Sequence, residues 1–134
     1  MIIDLRSDTV TVPSKGMLEA MMSAKVGDDV FAEDPTVIEL EKKCASLFNK
    51  EAGLFCPSGT MTNQIAIKCH TQPGDELLCD VNAHIYNYEG GGISFNSGVQ
   101  AKLLQGDRGR IKAQQIADNI NGNYDWLTRI SLVC

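Results

Sequence analysis

Three short stretches hold residue types whose spacing suits chemistry. FCPSGTMTNQ, residues 55–64, runs from an apolar segment through Pro57, Ser58 and Gly59 into Thr60 and a helix. A strand, a small-residue turn and a helix start suit an anion, because free N–H groups and the positive end of the helix dipole meet there. The turn lacks the Lys of a P-loop, and no G-x-G-x-x-G follows a strand, so a nucleotide is a poor candidate for that anion. A plain tight connection would use the same Ser and Gly with no ligand at all.

The second stretch is DVNAHIYNYEGGG, in which His84 opens a helix just after the strand ELLCD. Parallel α/β proteins place ligands at the carboxyl ends of strands, and His84 holds there the position that the PSGT turn holds one strand over. A structural histidine at a helix start is the competing reading. Glu89, five residues on, does not share a helix face with His84 and reads as a cap or a solvated charge. Tyr86 and Tyr88 read as packing groups. The third stretch, DLRSDTVTVP, puts Ser7, Asp8, Thr9 and Thr11 in an extended arm, where such residues ordinarily serve turns and caps.

No metal site is expected. Cys69, His70, Cys79 and His84 lack the ligand spacings of a zinc centre. The cysteines number five, none in a C-x-x-C, and read as reduced, buried thiols. With 43% hydrophobic and 22% charged residues the 134-residue chain has the make-up of one soluble domain with a real core. A net charge of −5 and no cluster of Lys and Arg argue against nucleic acid or an anionic membrane as partner. Asp4, Arg6 and Asp8 interrupt the start too early for a secretory signal, and no run approaches the ~18 apolar residues of a membrane span. A cytoplasmic protein is the expectation.

The elements that must position these groups follow from periodicity and punctuation. Pro13 and Ser14 can open a helix with Met17, Leu18, Met21 and Met22 on one face. Asp34 is a good N-cap with Pro35 behind it, and Val37, Leu40, Cys44 and Leu47 predict a buried stripe on a helix over about 35–49. GLFC reads as a strand, Met61–Lys68 as a helix, ELLCD as a strand and Ala83–Glu89 as a helix ending at three glycines. Val99–Leu104 reads as a strand, Ile111–Ile120 as a helix and ISLVC as a last apolar strand. Strand and helix alternating four times predict an α/β fold with a mostly parallel sheet. A final parallel strand with nothing after it is unusual, since such strands are flanked on both sides.

In their order, DLRSDTVT (4–11), GDDVFAEDPTV (27–37), PSGTMTNQ (57–64) and HIYNYEGGG (84–92) resemble the threonine aldolases, and the resemblance covers essentially the whole chain. It implies the fold type I, aspartate-aminotransferase-like large domain of pyridoxal-phosphate enzymes, a three-layer α/β sandwich. Residues 1–51 would then be an N-terminal arm with helices, and 52–134 the N-terminal half of the cofactor-binding domain. It implies pyridoxal 5'-phosphate as cofactor, with its phosphate as the anion held at Gly59 and Thr60. His84 would lie against the pyridine ring and take part in proton movement, and Ser7 would contact the carboxylate of the amino-acid substrate. Phe31 stands where the family usually has Tyr, which removes a hydroxyl there.

The implied reaction cleaves L-threonine or L-allo-threonine to glycine and acetaldehyde, a step in threonine breakdown and glycine formation. A related β-eliminating lyase and a non-catalytic remnant that keeps the phosphate cup are the alternatives. Pyridoxal chemistry also needs a Schiff-base lysine and a carboxylate at the pyridine nitrogen. In the resembled family these, and the arginines for the substrate carboxylate, follow the ISLVC strand; none of the lysines here matches. The expectation is therefore an N-terminal portion, with a C-terminal continuation or a complementary chain as partner. The family's assembly is a homo-oligomer, a dimer of dimers.

Overall fold

The computed structural model describes residues 3–134, which fall into two compact units that divide between Phe55 and Cys56. In the first unit Ser7 caps a 3-10 turn at Asp8–Val10 by accepting from the Thr9 N–H. Helix α1, Lys15–Ser23, starts at Ser14, whose side chain accepts from Met17 N. A second 3-10 turn, Asp29–Phe31, leads to α2, Pro35–Leu47. Asp34 caps α2 by accepting from Thr36 and Val37 N–H, and its other oxygen takes Gly27 N–H at 3.1 Å. Those bonds hold its carboxyl below the ordinary range, Val37 contributing most.

Of the expected apolar stripe of α2 only Val37 is even half-buried. Leu47 is 75% exposed and Leu40 and Cys44 are exposed too, whereas Ala45 is buried and Ile38 and Glu41 are half-buried. The face turned inward is set by the returning segment after the helix. Phe55 N–H donates to Glu41 Oε1 at 2.7 Å, and Gly53 packs on the Glu41 backbone so closely that a Cβ there would stand 2.8 Å from its carbonyl oxygen. This contact also explains a second correction: GLFC forms no strand, because its backbone serves a side chain of α2 rather than a neighbouring ladder.

The second unit holds three strands, not four: β1 Glu76–Asp80, β2 Gln100–Leu104 and β3 Ile130–Val133, in the order β2-β1-β3 and all parallel. Helix α3, Gly59–His70, precedes β1; α4, His84–Asn87, and α5, Gly92–Ser97, follow it; α6, Ala113–Asn119, lies between β2 and β3. Every residue of the central strand β1 is buried. Successive side chains of a strand point to opposite faces. Leu77 and Cys79 therefore share one face and pack with Ile67, Ile93 and Val99 as the core, while Leu78, fully buried, faces the other way. The outer strands are only half-buried over most of their length. Burial of the cysteines holds for Cys79 alone: Cys44, Cys69 and Cys134 are exposed and Cys56 is intermediate, though all five are free. Among the described residues no helix is long and apolar enough to cross a membrane.

Two polar clusters tie down the ends of β1. At its start, Arg129 Nε and Nη2 donate to Asp75 at 3.0 and 2.7 Å, and Gln72 N–H donates to the same carboxylate. At its end, Asp80 accepts from Asn82 and Gly106 N–H, both at 2.8 Å. The loops that follow β1 and β2 are thereby fixed to one carboxylate, which matters because the candidate site sits on this end of the sheet.

Candidate functional site

Helix α3 begins as its sequence dictates. Ser58 is extended (φ −149°) and its hydroxyl accepts from Met61 N–H at 3.1 Å, while its carbonyl takes Thr62 N–H at 3.2 Å. The N–H groups of Gly59 and Thr60, in the first turn, have no acceptor within the helix. A Cβ placed on Gly59 would meet nothing within 4 Å, so a ligand atom has open room beside that backbone. An anion is what such a helix start accommodates.

The expected single helix over Ala83–Glu89 is broken. Helix α4 stops at Asn87, and Gly90 and Gly91 take left-handed φ values of 61° and 74° before α5 begins. Residues with a Cβ rarely adopt that backbone. Had the helix continued, Glu89 would point roughly 140° away from His84. Because the chain turns, the Glu89 carboxylate comes back under α4, and its side chain has no exposed surface. Glu89, read from the sequence as a cap or a solvated charge, is instead buried, because α4 ends before it is reached.

Glu89 joins the two chemistry-bearing stretches. Its Oε1 accepts from Asn63 Nδ2 at 2.7 Å and lies 3.0 Å from His84 Nδ1; its Oε2 accepts from Gln64 Nε2 at 2.7 Å. Asn63 and Gln64 belong to the second turn of α3, so the carboxylate ties that helix to the start of α4. Burial pushes the Glu89 carboxyl up, but the bonds from Asn63, Gln64 and His84 together outweigh it and hold the group below its ordinary value. The His84 side chain is 64% exposed, with the Tyr88 ring tilted against it at a centroid distance of 5.5 Å. An imidazole anchored at one nitrogen and open on its remaining surface can stack on a flat ligand and exchange a proton.

Gly59, Thr60 and His84 thus belong to one unit, linked through Asn63, Gln64 and Glu89. Ser7 lies in the other unit, exposed, with its hydroxyl 2.8 Å from that of Thr9. Tyr86 and Tyr88, expected to pack, are exposed. A groove of about 510 Å³ runs along α3 past Ser58, Thr60, Gln64, Lys68 and Asn96, but His84 does not line it. Among the described residues no three His, Cys, Asp or Glu side chains converge as metal ligands would.

A helix start and an anchored histidine thus meet at the carboxyl end of a parallel α/β sheet, and comparison with known proteins defines the class. Residues 4–134 match the Beta-eliminating lyase family, and the chain belongs to it. Over 103 residues, 77% of this chain, it is 52% identical to an uncharacterized protein of Caenorhabditis elegans and 50% identical to the low specificity L-threonine aldolase of Escherichia coli K12. Over 106 residues, 78% of this chain, it is 48% identical to low-specificity L-threonine aldolase 1 of Arabidopsis thaliana. The matches cover 25%, 31% and 30% of those proteins, so the chain spans about a quarter to a third of the length of the curated relatives it matches.

Proposed function

We propose that this chain is part of a pyridoxal-phosphate-dependent aldolase that cleaves L-threonine or L-allo-threonine to glycine and acetaldehyde. The observation that carries the reading is identity near 50% to proteins named low-specificity L-threonine aldolases, over a stretch that includes the helix start and His84. When bound, the cofactor supplies the electron sink for the carbanion left as the Cα–Cβ bond breaks. The Gly59 and Thr60 N–H groups and the Thr60 hydroxyl would donate to its phosphate, aided by the α3 dipole. His84 would lie against the pyridine ring, its tilt restrained by Glu89. Ser7 would hold the substrate carboxylate. A continuation of the chain or a complementary chain would provide the Schiff-base lysine, the carboxylate at the pyridine nitrogen and the substrate-binding arginines. We place the assembly in the cytoplasm as a homo-oligomer, a dimer of dimers.

The description of the matched family favours one second reading, β-elimination. The two differ in products. Incubating the natural protein with pyridoxal phosphate and L-threonine should release acetaldehyde and glycine in equal amounts. Ammonia and a 2-oxo acid in their place would mean elimination.

A further inference from the structure

We propose that Glu89 is the positioning residue of this site, fixing His84 in the tautomer protonated at Nδ1 and leaving Nε2 as the atom that takes up or gives a proton. The proposal rests on the aldolase reading for its reaction but on geometry for its tautomer. Each Glu89 oxygen faces an amide donor, Asn63 on one and Gln64 on the other, and the first also lies 3.0 Å from His84 Nδ1. Gln64 is held at its other end as well, where its Oε1 accepts from Asn96 Nδ2 at 3.3 Å, an arrangement in which its NH2 faces Glu89. A protonated Glu89 would press an O–H against one of these donors, so the cage selects the carboxylate. An ionised carboxylate only accepts, and His84 must therefore supply the proton between them.

The consequence falls on the far side of the ring. With Nδ1 committed, Nε2 of neutral His84 carries the lone pair, and among the described residues it has no hydrogen-bond partner. A proton accepted there makes an imidazolium whose charge sits against a buried anion, with nothing to reorganise. A carboxylate that merely glued α3 to α4 would not need the imidazole as its third donor.

Imidazole 15N spectra of the natural protein, recorded without cofactor above the histidine titration, read the tautomer directly. The expected result is a protonated Nδ1 and a bare Nε2 at His84. Glu89→Gln keeps the shape but brings an amide that can donate to Nδ1, and should move His84 toward the Nε2–H form. In the loaded enzyme the same variant should lower kcat at least about tenfold with a smaller change in KM. In a His84→Phe background the substitution should cost kcat much less, since Glu89 acts through the ring. A wild-type His84 in the Nε2–H form overturns the inference even if Glu89→Gln fails to fold. Equal loss of kcat in both backgrounds overturns it too. An Nδ1–H tautomer in a protein that releases no acetaldehyde counts against the aldolase reading instead.

Discussion

Gly92→Ala tests whether the Glu89 cage is as rigid as its geometry implies. A Cβ at Gly92 would stand 2.5 Å from Gln64 Cδ, 2.6 Å from its Oε1 and 2.7 Å from its Nε2. The tip of a free glutamine would swing aside at little cost. This one is 8% exposed and bonded at both ends, to Glu89 and to Asn96. It either stays and is overpacked, at about 1–3 kcal/mol, or leaves and forfeits a bond to a charged group, at about 1.5–3 kcal/mol. These are alternatives and do not add. Against them stands a helix-propensity gain of at most ~1 kcal/mol, less at the first position of α5. The net expectation is a loss of about 1–2 kcal/mol, read as a lower urea midpoint at constant m-value. In a Gln64→Ala background the clash disappears, and Gly92→Ala should be neutral or slightly stabilising. Equal effects in the two backgrounds would refute the reasoning, as would a neutral single variant.

Thr60→Val keeps the shape of the helix start and removes a donor to a charged acceptor, worth roughly 1.5–3 kcal/mol. Pyridoxal phosphate affinity should fall tenfold or more, and an unchanged Kd in a fluorescence titration would move the phosphate elsewhere. Hydrogen bonds from Arg129, then from Gln72 N–H, hold Asp75 well below the ordinary carboxylate range, so its contribution is full above the ordinary value of 3.8 and is lost as pH falls through the lower folded value. The stability gap between wild type and Arg129→Met should accordingly be larger at about pH 6 than at about pH 2.5; an equal gap by urea unfolding would contradict this. Burial raises the Cys79 thiol to about 11, whereas Cys44 and Cys69 are exposed. Iodoacetamide mapped by mass spectrometry should modify those two first and reach Cys79 only on denaturation; early labelling of Cys79 would mean that β1 opens.

Local signals carried much of this fold. Ser14, Asp34 and Ser58 cap α1, α2 and α3 as their types suggest, and the apolar runs ELLCD, Val99–Leu104 and ISLVC became the three parallel strands. Legibility failed where a side chain's fate depends on a distant segment. The inward face of α2 is decided by Gly53 and Phe55 returning to Glu41, which periodicity within the helix cannot register. GLFC has the composition of a strand, but pairing is a property of its neighbours. Glu89 was misjudged by carrying the helix on to residue 89, whereas α4 stops at Asn87 and Tyr88 leaves the helical path, which lets the carboxylate turn inward. His84, Gly59 and Thr60 stood out by position in the sequence; that a buried anion joins them did not.

The most direct measurement is a crystal structure of the natural protein with pyridoxal phosphate bound. The account predicts the phosphate within hydrogen-bond distance of the Gly59 and Thr60 N–H groups, with the pyridine ring against a His84 imidazole still bonded to Glu89. A phosphate held elsewhere, or a His84 ring turned away from the cofactor, would contradict it.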